Sequence, residues 1–263
     1  VKRPVIFIHG LWIHSLSWQP WQDLFQQHGY ETHAPGWPGD AATVEDTRAA
    51  PENLAGRGVA EITDAYAKVI ADLPAEPILI GHSFGGLIVQ KLLGLGLGAA
   101  AVAISPGPIK GIRTVPLSQL RSGLPVLSRP GNKKKAVSLT EKQFAYAFGN
   151  AVPAVESAQL YERWSIPGPG RPLFEASSAN FSKDAPTAVD TTRANRGPLL
   201  LLAAGRDHTV PASVVRAASR LYAGSRATTQ LRTYDDRGHS APFDHGWRPL
   251  AEDTLSWLSR QGF

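Results

Sequence analysis

The 263-residue chain contains no cysteine. That excludes a disulfide framework, a cysteine nucleophile and thiolate-held metal. It contains no methionine either, so no initiator residue stands at its head. The opening Val1-Lys2-Arg3-Pro4 lacks a signal-peptide pattern and runs at once into a strand-like stretch. A cytoplasmic location is the expectation, with secretion after removal of a leader left open. Charged residues are sparse at 19% and hydrophobic residues reach 43%, a balance that argues against disorder. Long apolar runs without breakers are missing as well. The longest uncharged stretch, 92–109, approaches a membrane span in length. It is interrupted by Gly94, Gly96, Gly98 and Gly107, and by Pro106 and Pro108. It reads as a helix end, a turn and a buried strand over 99–105, so no membrane span is expected.

The length suits one α/β domain, or one carrying a large insertion. Strand-like and helix-like segments alternate, the mark of a parallel sheet wrapped by helices. Val5-Ile6-Phe7-Ile8 is a short continuous apolar run, as a strand buried on both faces requires. A helix is predicted over 15–28, a strand over 30–34, a helix over 59–73 and a strand over 77–80. A helix over 84–97 and the strand over 99–105 follow. The alternation then stops from 106 to 196, where no convincing strand is visible. Helices are predicted there over 140–151, 155–164 and 173–181. Phe144, Tyr146, Phe148, Tyr161 and Trp164 favour an inserted helical unit over disorder. The alternation resumes with a strand over 198–203, a helix over 212–222, a strand over 228–234 and a helix over 248–260. The expectation is a mostly parallel, doubly wound sheet of about six strands, built from 1–105 and 197–263.

Gly81-His82-Ser83-Phe84-Gly85 fits the pattern G-x-S-x-G and falls between a predicted strand and a predicted helix. A serine there sits on a tight turn that pushes its hydroxyl out at the carboxyl end of the sheet. The helix start behind it supplies free N–H groups and a positive dipole. A serine needs a base to act as a nucleophile. Of eight histidines, His239 stands on a Gly-containing loop after the last strand, at the same edge of the sheet. His82 is next to Ser83, but its side chain must leave in another direction and is read as shaping the turn. His28, His33 and His245 read as surface or loop residues, and His208 is ambiguous. The base needs an orienting carboxylate. Asp207, in Gly205-Arg206-Asp207-His208, follows the strand over 198–203 and is preferred over Asp235 and Asp236. Those two lie three or four residues from His239, and residues that close usually share a loop with the histidine rather than meet its ring. His9-Gly10-Leu11-Trp12 follows the first strand. Its turn can aim the Leu11 N–H towards Ser83, where it would join the Phe84 N–H in an oxyanion hole. His9 itself is read as holding the loop.

These residues, in the order serine, acid, histidine, give the chain a resemblance to the α/β-hydrolase superfamily over nearly its whole length. The resemblance implies Ser83 as nucleophile, Asp207 as orienting acid and His239 as base. It implies a cap inserted after the sixth strand of the family's sheet, a place that matches 106–196. The serine argues against the dehalogenase and epoxide-hydrolase branches, which use aspartate there. Absence of cysteine excludes the dienelactone-hydrolase type. Many members carry two strands before the His-Gly loop, whereas about four residues stand there in this chain.

The leading expectation is hydrolysis of an ester, lactone or thioester through an acyl-enzyme, with no cofactor and no metal. The same triad can serve C–C bond hydrolysis, perhydrolysis or cyanohydrin cleavage, or persist in a ligand receptor. Trp12 and Trp37, with Phe148 and Trp164 from the inserted unit, are candidate pocket residues for an apolar or aromatic small-molecule substrate. Trp18 and Trp21 read as anchors of their helix. The net charge is +5 and the pI near 9.6. Residues 106–196 carry thirteen Lys/Arg against six Asp/Glu, a net +7, leaving −2 for the remainder. The basic character belongs to the insertion, centred on Lys133-Lys134-Lys135. With no nucleic-acid-binding motif beside it, no nucleic-acid partner is expected.

Overall fold

A computed structural model describes residues 2–263. Four continuous apolar runs become strands buried on both faces: β1 (Val5–Ile8), β3 (Ile78–His82), β4 (Ala100–Ile104) and β7 (Leu199–Ala204). With β2 (Thr32–His33) and β8 (Thr229–Tyr234) at the edges, they form one sheet in the order β2-β1-β3-β4-β7-β8. Every pairing in it is parallel.

The period of two along each strand sorts side chains to opposite faces. Val5, Phe7, Ile78, Ile80, Val102 and Leu200 pack against α1 (Gln19–Gln27) and α10 (Trp247–Arg260). Ile6, Ile8, Leu79, Ala101 and Leu201 pack on the other side with α3 (Val59–Ala71), α4 (Phe84–Leu95) and α9 (Ala212–Leu221). Trp18 and Trp21 both lie against Phe7, with ring centroids 5.2 and 6.3 Å away. The Trp21 indole N–H also donates to the Pro242 carbonyl at 2.8 Å, tying α1 to the loop that follows His239.

Between β4 and β7 lie α5 (Leu117–Leu127), α6 (Glu141–Ala147), α7 (Ala154–Trp164) and α8 (Arg171–Ser177). The absence of strands expected here is corrected. β5 (Ala136–Val137) pairs antiparallel with β6 (Gly168–Pro169). Two residues per strand are too few to leave a periodicity, and Gly-Pro reads as loop. Two further helices escaped prediction. One is α5, which contains Gly123 and Pro125. The other is α2 (Val44–Ala49), capped by the Thr43 hydroxyl, which accepts from the Asp46 N–H. The helix predicted over 15–28 is a 3-10 turn, Ser15–Trp18, followed by α1, with Pro20 in its first turn. Phe144, Phe148 and Trp164 join the apolar cluster that covers the α3/α4 face of the sheet. Among the described residues no helix is long and apolar enough to cross a membrane.

Candidate active site

β3 ends at His82 and α4 begins at Phe84, leaving Ser83 alone to reverse the chain, at φ +55° and ψ −123°. Such a backbone is costly for a residue with a Cβ and persists only where the surroundings dictate it. They do so through two glycines. A Cβ on Gly81 would collide with the Gly85 carbonyl, and one on Gly85 with the carbonyls of Ile8 and His9. The turn is therefore wedged against the end of β1.

Ser83 Oγ lies 3.0 Å from His239 Nε2, and His239 Nδ1 lies 2.6 Å from Asp207 Oδ2. All three residues are buried. A carboxylate only accepts, so Nδ1 carries the ring proton and Nε2 is free to accept from the Ser83 hydroxyl. The other Asp207 oxygen accepts from the Thr209 and Val210 N–H groups at 2.8 and 2.7 Å, which fixes the carboxylate plane. Asp235 and Asp236 are exposed and do not meet the ring.

His82 packs on His239 at 4.5 Å between ring centroids, with its Nε2 unpartnered. Burial, and secondarily repulsion from the His239 imidazolium whenever that ring takes a second proton, hold its pKa well below the usual histidine range. His82 is thus an uncharged neighbour. A second cation at that distance would oppose proton uptake by His239.

The segment between β4 and β7 reaches both loops that carry these residues. The Phe148 ring meets the His239 ring edge-on at 4.8 Å. Tyr146 O lies 3.0 Å from His208 Nδ1, and Ala147 O accepts from the Thr209 hydroxyl at 2.7 Å. Asn150 donates to Arg206 O at 2.7 Å. Glu156 on α7 accepts from the His245 backbone and pairs with its ring at 2.7 Å.

On the opposite wall stands the loop after β1. Trp12 has φ +68° and is held by its indole N–H donating to Val137 O at 3.0 Å, while its own carbonyl accepts from Ile166 N–H at 2.9 Å. Among the described residues, no protein acceptor takes the N–H of Leu11 or of Phe84. Both residues border a cavity of about 220 Å³ that opens at Ser83.

The four expected pocket residues are divided by this cavity. Trp12 lines it; Trp37, Phe148 and Trp164 do not. Trp37 is buried against His9, with rings stacked at 5.1 Å. Phe148 stands behind His239, and Trp164 lies under the Arg163 guanidinium. The apolar wall comes instead from Ile112, Leu120, Leu127, Leu173 and Ala176. Large rings are as useful for filling a core as for lining a pocket. No charged side chain lines the cavity among the described residues, and the Lys133–Lys135 run is exposed to solvent.

The family profile described as "Alpha/beta hydrolase family" matches residues 5–253. The chain belongs to the alpha/beta hydrolase family. No curated protein matches this alpha/beta hydrolase in sequence. Solved structures similar to it include a monoacylglycerol lipase from Paleococcus ferrophilus. That protein is 21% identical over 99% of this chain and 96% of its own, with a TM-score of 0.69. A methylesterase from Arabidopsis is 16% identical, covering 98% and 99%, at a TM-score of 0.66. A pyrethroid hydrolase from Sphingobium faniae JZ-2 is 16% identical, covering 98% and 97%, at 0.62. At such identities the likeness is one of fold.

Proposed function

We propose that this alpha/beta hydrolase cleaves carboxylic esters of apolar acids or alcohols through a Ser83 acyl-enzyme. The observation that carries the reading is the Asp207–His239–Ser83 relay, at 2.6 and 3.0 Å, opening onto a cavity without charged side chains. The esterases and the lipase among its structural relatives favour an ester bond over other acyl groups.

Ser83 Oγ attacks the ester carbonyl while His239 Nε2 takes the hydroxyl proton. The carbonyl oxygen gains the negative charge and rests on the N–H groups of Leu11 and Phe84. Each such donor is worth about 3–4 kcal/mol in acyl transfer. Collapse expels the alcohol, which leaves with the proton from His239. Water then attacks the acyl-enzyme with His239 again as base, releasing the acid and restoring Ser83. Residues 106–196 act as the cap, supplying the cavity wall and the supports of the acid and histidine loops. Ser83→Ala is expected to lose both ester turnover and labelling by a fluorophosphonate. Turnover at the wild-type rate in that variant would overturn the reading. A panel of aryl esters, lactones and β-diketones locates the preferred bond.

A further inference from the structure

We infer that the rim of the cavity is a docking surface for an anionic phospholipid bilayer, from which an apolar ester passes to Ser83 without crossing water. The delivery of the ester rests on the acyl-enzyme reading above; the docking does not.

α5 is built the wrong way round for a helix that faces water. Its buried positions hold Ser122, Gly123 and Val126. Its exposed stripe holds Leu117, Leu120 and Leu124, which stand on one face at helical spacing. Leu117 is 85% exposed and Leu124 54%. A lone exposed leucine is ordinary, but a contiguous stripe of them marks a surface that meets something apolar. Val115, just ahead of the helix, is exposed too. Val115 and Leu120 also line the cavity, so they stand where it opens to the outside. They join the outer stripe to the apolar wall above Ser83. Asn180 lines the same cavity and is fastened to the chain ahead of α5. It accepts from the Gly111 N–H and donates to the Ile112 carbonyl, both at 2.7 Å. The next residue, Phe181, is 93% exposed.

Charge indicates what covers this face. From 106 to 140 the chain holds Lys110, Arg113, Arg121, Arg129 and Lys133-Lys134-Lys135, and no Asp or Glu. Among the described residues none of these cations forms an ion pair. Arg121 flanks the leucine stripe, with its guanidinium 3.9 Å from the centre of the Tyr146 ring. The lysine run is tied to the far end of α5, where the Asn132 side chain donates to the Pro125 and Val126 carbonyls at 3.2 and 3.1 Å. Unpaired cations beside protruding apolar side chains match a bilayer, which offers phosphates at its surface and hydrocarbon below. An acidic protein would answer the charge as well. However, Leu117 and Phe181 protrude and do not line a groove that a partner's side chains could fill, and an uncharged apolar ester concentrates in lipid.

The test is co-sedimentation of the whole protein with vesicles, one set of phosphatidylcholine and one of equal parts phosphatidylcholine and phosphatidylglycerol. The anionic vesicles are expected to bind it at least about tenfold better, and about 1 M salt should release it. Leu117→Ser/Leu124→Ser should weaken that binding by about tenfold or more. Neither leucine lines the cavity, so the same variant should hydrolyse an acetyl ester free in solution within about twofold of wild type, which also shows that it folds. Lys133→Gln/Lys134→Gln/Lys135→Gln should weaken binding to the anionic vesicles alone. A long-chain ester dissolved in anionic vesicles should be cleaved about tenfold more slowly by the leucine variant. Failure to bind anionic vesicles, or binding indifferent to the leucines, overturns the proposal. So does a wild-type dimer in solution that the leucine variant dissociates, which would give the face to a second copy. Ser83→Ala should bind vesicles as wild type does, so loss of the acyl-enzyme reading would leave the docking measurable.

Discussion

Asp207 holds two unlike partners with its two oxygens, and substitution can separate them. Asparagine keeps an acceptor for the Thr209 and Val210 N–H groups but removes the charge that orients His239. Asp207→Asn is expected to fold normally and to lose about 10⁴ in kcat. Asp207→Ala orphans two backbone donors as well, so it should also cost about 1–3 kcal/mol of stability. Ester kinetics and urea unfolding distinguish the two variants. His82 bears on stability in another way. The unfolded chain protonates His82 near its ordinary value of 6.5, whereas burial keeps the folded one neutral to well below that. Below pH 6.5 the unfolded state holds the extra proton, so stability falls as pH falls and is unaffected above it. His14, whose pKa is lowered chiefly by burial, adds a term of the same sign. The urea midpoint of the protein should drop between pH 7.5 and 5.5, and His82→Gln should make the drop smaller without removing it. Asp207, His239 and Ser83 were legible in sequence because each follows a strand on the same edge of the sheet. The buried approach of Asp40 to His9 was not, because nothing in the spacing of Gly39-Asp40 ties it to His9, 31 positions earlier.

The elements that read best from sequence are those whose environment is uniform. β1, β3, β4 and β7 are buried on both faces, so each is an unbroken apolar run. The edge strand β2 is only half-buried, and only Thr32–His33 of the expected 30–34 is paired. α5 fails for a different reason. Gly123 and Pro125 lower helix propensity, yet both stand inside α5, and Gly123 borders the cavity. A Cβ there would come within 3.2 Å of the flexible Leu127 side chain alone, and the residue borders the cavity, so a larger side chain there is expected to take up cavity space. Gly123→Leu should leave kcat/KM for an acetyl ester within about twofold and lower it for a long-chain acyl ester by about tenfold or more, the range a filled apolar pocket commands. Equal effects on both esters would remove α5 from the substrate wall.

At the scale of the molecule, charge and chemistry are kept apart. Residues 106–196 hold a net +7 and the remainder −2, but among the described residues no charged side chain lines the cavity. For an uncharged ester, kcat/KM is therefore expected to stay within about twofold from low salt to about 1 M, where the screening length is about 3 Å. Stopped assays across a salt series check this, and a steep decline would mean that the basic surface takes part in capture. The bonds from Tyr146, Ala147 and Asn150 to residues 206–209, and from Glu156 to His245, have a consequence for descent. A lineage is often pictured as exchanging insertions on a fixed core to acquire new substrates. If residues 106–196 are the cap proposed above, they also hold the loops of Asp207 and His239, and the two would not drift independently. A transplanted insertion would have to bring its own matching residues at 206–209 and 245, or the recipient would change substrate and lose rate in the same step.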